Sequence, residues 1–135
     1  MIALDTNIII RYLVRDDVKQ SEAARALLES LTVEHPGYVC REVAVEVVWV
    51  LKRAYGYSHA QISAILKELL ITEVLVFEAA DDVARAAFRY GEGEAEFSGL
   101  MIMAAARRAG IRSLHTLDRK LSRLEGAVLL DGDMA

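Results

Sequence analysis

The chain holds one cysteine, one proline and one tryptophan in 135 residues, and its 20 acids outnumber its 16 Lys and Arg. A lone Cys40 closes no internal disulfide, and with no Cys/His cluster beside it there is no zinc pattern, so its expected role is a small hydrophobe in the core. His35, His59 and His115 stand in unlike contexts, without the spacing of a zinc site or a Ser-His-Asp arrangement. No glycine-rich phosphate loop, internal repeat or low-complexity tract is present. The opening MIALDTNIII carries Asp5 inside its apolar stretch and lacks a basic leader, which reads as neither a signal peptide nor a membrane span and points to the cytoplasm.

The formal net charge of −4 excludes a protein that grips nucleic acid by overall positive charge. Local charge differs: Arg107, Arg108, Arg112, Arg119, Lys120 and Arg123 face a single acid, Asp118, between positions 107 and 123. On pattern alone this reads equally as a solvated basic face. Residues 1–135 suffice for one domain with its own core, and the 54% hydrophobic content suggests that some apolar surface is covered by a partner or a second copy.

Short apolar runs alternate with helical stretches. Ile2–Leu4 reads as a strand meeting Asp5-Thr6-Asn7, a cluster suited to capping a helix over 8–14. A helix over 21–31 follows, then a turn at His35-Pro36-Gly37, a brief strand over 38–40 and a helix over 41–55 that stops before Gly56. Ser58 with Gln61 forms a capping box ahead of the stripe Ile62, Ile65, Leu66 and Leu69. Val74–Phe77 looks like a strand covered on both faces, and Asp81-Asp82 like the cap of the next helix. Leu100–Ala106 is apolar on every side, which predicts a buried helix closed by Gly110. A strand over 113–115, a short helix over 118–124 and a strand over 128–130 complete the order. The pattern predicts an α/β fold with a parallel sheet between helices, whose ligands gather at the carboxyl ends of the strands.

Acids stand at those ends. Asp5 and Asp118 each follow a strand and each would serve as a plain helix cap, but on one parallel sheet they can converge. Glu46 lies on or beside the face of Val43, Val47 and Val50, where an unpaired carboxylate costs several kcal/mol unless a cation or metal offsets it. The competing reading pairs it with an arginine such as Arg11. Glu42, beside Arg41, is the alternative acid and looks more like surface. Convergent carboxylates suit Mg²⁺, which takes one or two of them with water and substrate phosphate, and so suggest phosphoryl chemistry. Trp49 and the four methionines are expected in the core rather than as a base-stacking platform.

Leu4-Asp5-Thr6-Asn7-Ile8, continuing through Arg11-Tyr12-Leu13-Val14-Arg15-Asp16-Asp17, resembles the first motif of the VapC-like PIN-domain toxins. Val45-Glu46-Val47-Val48-Trp49-Val50-Leu51 is similar to their second acidic motif, and Thr116-Leu117-Asp118-Arg119-Lys120-Leu121 to their fourth. The resemblance implies a PIN-like three-layer fold, a central, mostly parallel sheet flanked by helices. It implies an Mg²⁺- or Mn²⁺-dependent endoribonuclease, a small DNA-binding antitoxin as partner and a homodimer. Asp5, Glu46 and Asp118 become metal-site acids with Thr6, Asn7 and Thr116 in support, while Arg11, Arg15, Arg119 and Lys120 contact RNA phosphates. The third motif departs from the family's Asp-Phe-x-Asp pattern: here it is Glu96-Phe97-Ser98-Gly99, with glycine in place of the catalytic acid. Glu96, one turn back, is the candidate substitute, and Gly99→Asp is expected to restore the acid without any other change. Two other readings stand beside this one. One is a PIN-fold binding module with an impaired site; the other, ranked far behind, is an aspartyl-phosphate phosphatase, disfavoured by Asn7 where a second Asp is needed.

Overall fold

The computed structural model describes residues 1–130. β1 (Ile2–Ala3), β2 (Gly37–Val39) and β3 (Leu75–Phe77) form a parallel sheet in that order, while β4 (Leu114–Thr116) and β5 (Ala127–Leu129) form a second parallel pair. Six helices join them: α1 (Thr6–Leu13), α2 (Val18–Glu29), α3 (Arg41–Arg53), α4 (His59–Leu70), α5 (Ala80–Gly91) and α6 (Phe97–Arg108). This is the expected α/β architecture, with the sheet divided in its hydrogen bonding. β1 has only two residues, both exposed, before Asp5 turns the chain into α1, so it offers a short edge for a further strand.

Local chemistry explains several boundaries. Ser58 accepts from the Gln61 amide and the Gln61 side chain accepts from the Ser58 amide, so the capping box opens α4 as read. Gly110 follows α6 with φ 77°, the left-handed conformation that glycine takes at low cost. Asp17, rather than a residue nearer 21, caps α2 through the Gln20 amide.

Four expectations on burial and boundaries are corrected. β3 is covered on one face only, since Val76 is exposed between buried Leu75 and Phe77. α6 buries Leu100, Met101 and Met103 and leaves Ile102 outside; an unbroken apolar run has no period from which the covered face could be read. The segment after Asp118 makes only a 3-10 turn, Leu121–Arg123. α5 is preceded by Ala79 in a left-handed conformation, φ 53°, and not by an aspartate cap.

Asp82 has another role. It is buried, and its two oxygens accept from Arg41 at 3.3 Å, from Arg85 at 3.2 Å and from Arg108. Arg41 also donates to the Met101 carbonyl at 2.7 Å. One carboxylate thus ties the start of α3 to α5 and to α6. Burial pushes the Asp82 carboxyl up, but hydrogen bonds and charge from Arg108, with bonds from Arg85 and Arg41, outweigh it and hold the carboxyl below its usual range.

Candidate functional site

Parallel pairing of β1 and β2 brings the starts of α1 and α3 to the same edge of the sheet. Asp5 ends β1 and caps α1, and its Oδ1 accepts from the Thr6 amide at 2.7 Å. The Thr6 hydroxyl, on a buried residue, donates to Glu46 Oε1 at 2.8 Å. A single threonine therefore holds the Asp5 and Glu46 carboxylates, one through its backbone and one through its side chain, across 40 positions of sequence.

Glu46 is exposed, which overturns the burial argument made for it. Val43, Val47 and Val48 point into the core and the turn of α3 carries Glu46 to the edge of that face. Arg11, the ion-pair partner that the competing reading gave it, is engaged elsewhere, with Asp16 at 2.9 Å, Gln20 at 2.6 Å and Tyr55 at 3.2 Å. Among the described residues neither Asp5 nor Glu46 forms an ion pair with Lys or Arg.

The other acids have no bond to Thr6: Glu96 shares a cleft with Glu46, while Asp118 stands on the turn after β4. Asp118 Oδ1 accepts from the Leu121 amide at 3.1 Å, and the Asp118 amide donates to Thr116 Oγ1 at 3.0 Å, so both residues shape the turn after β4. Glu96 precedes α6 and binds Lys52 Nζ at 3.0 Å. Asn7, Arg15, Arg119 and Lys120 are exposed. Gly99 faces the Asp118 turn: a Cβ there would lie 3.0 Å from Leu121 Cδ2. An acid at 99 would thus be directed toward the segment that carries Asp118.

Glu78 was not singled out from the sequence, although it follows β3 as Asp5 follows β1. Its Oε1 accepts from the Arg41 amide at 2.9 Å, capping α3 from a distance, and it lines a cleft of about 500 Å³ with Glu42 and Glu46. The rule that picked out Asp5 and Asp118, an acid immediately after a parallel strand, would have found it.

Among the described residues no three His, Cys, Asp or Glu side chains are grouped to hold a metal ion. Two carboxylates on one threonine do fit the smaller demand of Mg²⁺, which fills its remaining positions with water and substrate phosphate. No helix among the described residues is long and apolar enough to cross a membrane.

The chain is similar over 98% of its length, and over 92% of the other chain, to the Mycobacterium tuberculosis toxin VapC20, described as cleaving the sarcin-ricin loop, with 23% identity and a TM-score of 0.46. No curated protein matches it. Residues 2–127 match the PIN domain, nearly all of the described structure and every residue of the Asp5–Thr6–Glu46 arrangement. The chain belongs to the PIN domain family.

Proposed function

We propose that the protein is a metal-dependent endoribonuclease, the toxin of a VapBC-like pair, acting in the cytoplasm. The observation that carries the reading is the Asp5–Thr6–Glu46 arrangement at the carboxyl edge of a parallel sheet in a PIN-domain chain. Asp5 and Glu46 would hold Mg²⁺ or Mn²⁺, with Asp118 and Glu96 as outlying acids. Bound there, an ion would supply Lewis acidity toward water and would offset acid–phosphate repulsion. Thr6 orients both carboxylates and keeps one oxygen of each occupied. Arg15, Arg119 and Lys120, all exposed, are the phosphate contacts this reading uses; Arg11, tied to Asp16 and Tyr55, is a weaker one. A small DNA-binding antitoxin and a second copy of the chain are the partners it implies.

Cleavage of a mixed RNA pool is expected with Mg²⁺ or Mn²⁺ and not with EDTA. RNA bound but uncut under both conditions would replace the nuclease with a PIN-fold binding module whose site Gly99 impairs.

Gly99→Asp tests that impairment, and the structure adds a cost that the sequence hid. The new Cβ would press on buried Leu121, which must move by a few tenths of an ångström. Overpacking of this kind costs about 1–3 kcal/mol, against which aspartate is a slightly better helix residue than glycine. Gly99→Ala carries the same steric cost without the acid. Gly99→Asp is expected to melt at or below wild type without metal, and to gain more melting temperature from Mn²⁺ and cut RNA faster than Gly99→Ala. Identical metal response in the two variants would show that an acid at 99 does not join the site.

A further inference from the structure

Trp49 is 61% exposed, against the expectation that it fills the core. Burying a tryptophan removes about 150–250 Å² of surface from water, so leaving one outside forgoes a large stabilisation. Scattered exposed hydrophobics need no explanation, but this one has a particular address. It stands three residues after Glu46 on α3, a spacing that makes the two neighbours on the helix surface. The indole lines a cleft of about 510 Å³ with Glu46, Lys52, Arg53 and Ser98. The Arg53 guanidinium lies 5.8 Å from the ring centroid. Among the described residues Arg53 has no acidic partner, whereas Lys52 is shared with Glu96.

A flat π surface, a guanidinium that lies over it with no acidic partner among the described residues, and an ammonium beside a site acid match the parts of one nucleotide, a flat base joined through ribose to a phosphate. We propose that Trp49 is a base-stacking residue which, with Arg53 and Lys52, seats an unpaired nucleotide of single-stranded RNA next to Glu46. The proposal rests on the ribonuclease reading and adds what the cleft recognises. A second copy of the chain suits the cleft less well, because covering it would strip water from Lys52, Arg53, Glu46 and Glu96 together. Every base has a π face, so the seat tolerates any sequence, and discrimination between RNAs falls to other contacts.

Trp49 is the sole tryptophan, so its emission reports the seat directly. A short unstructured RNA is titrated against the wild type in EDTA, and against Glu46→Gln in Mg²⁺, with anisotropy of a labelled RNA read in parallel. Saturable quenching is expected, and an RNA of the same length with abasic positions throughout should bind more weakly and leave the emission unchanged. Losing one stacked base should weaken RNA binding by Trp49→Ala about 5- to 150-fold, with Trp49→Phe close to wild type. Trp49→Ala should keep the wild-type melting temperature. RNA that binds without quenching overturns the proposal, as does equal binding by Trp49→Ala. Emission that shifts with protein concentration and ignores RNA overturns it in favour of a second copy over the indole. Quenching without cleavage refutes the nuclease reading alone, whereas cleavage without quenching refutes the stacking alone.

Discussion

Asp82→Ala is expected to destabilise the protein by about 3 kcal/mol, read as a lower urea midpoint at unchanged slope. Removing one partner of a buried ion pair costs about 3–5 kcal/mol because the remaining charge stays buried and unpaired. The lower end applies here. Arg85 and Arg108, with side chains 73% and 55% exposed, can turn to water, whereas Arg41, at 21%, stays against the Met101 carbonyl. Arg85→Ala should therefore change little. The pH dependence has a definite sign. The folded Asp82 carboxyl is held below its ordinary value of 3.8, so its contribution is complete above that value and fades as pH falls through the lower folded value. Wild type should lose stability on acidification below about pH 4, and Asp82→Asn should lose less over the same range. Parallel acid limbs for the two proteins would show that Asp82 does not supply the coupling.

The same residue shows where the sequence stopped being legible. Asp81-Asp82 ahead of a helical stretch carries the local signature of a cap, and nothing local says that Arg41 and Arg108, 41 and 26 positions away, converge on the second of the two. Ser58 and Gln61 were readable because the capping box closes within a single turn. The succession of strands and helices along the chain was readable for a related reason, since each short apolar run is bounded by local turn and cap signals, whereas the division into a three-stranded and a two-stranded sheet was not.

Periodicity failed where it was weakest. The run Leu100–Ala106 has no polar residue to mark its outer face, so Ile102 could not be distinguished from Met101. On α3, Val43, Val47 and Val50 drew Glu46 toward the core in the sequence reading, yet the residue lies at the boundary of the buried face and is exposed. Trp49 went wrong by composition, because a lone tryptophan in an apolar helix is usually core. Asp5 came from its motif and its place after a strand, and Glu46 from its motif and its place beside an apolar helix face, but the device that joins them could not. Thr6 was expected only as a supporting polar residue, and its double attachment depends on how α1 lies against α3.

That double attachment sets the last expectation. Asp5→Asn and Glu46→Gln should each lower RNA cleavage at least about 100-fold, because even partners that merely orient metal ligands are worth about 10–100-fold in affinity or activity. Stability should separate them from structural residues. Glu46 is exposed and the Thr6 hydroxyl can still donate to a glutamine carbonyl, so metal-free Glu46→Gln should melt at or above wild type as carboxylate repulsion falls. Thr6→Val removes the hydroxyl while leaving both acids in place, and should cost activity about 10–100-fold by releasing Glu46. Its distinguishing readout is the Mn²⁺ concentration at half-maximal thermal shift, which should rise in Thr6→Val and return in Thr6→Ser. A threonine with only a packing role would lower the metal-free melting temperature and leave that midpoint alone. Glu42→Gln provides the contrast, since Glu42 shares a cleft with Glu46 but has no bond to Thr6. If Glu42→Gln abolishes cleavage and Glu46→Gln does not, the acid that works with Asp5 is Glu42, and the Thr6 bridge serves only to fasten α1 to α3.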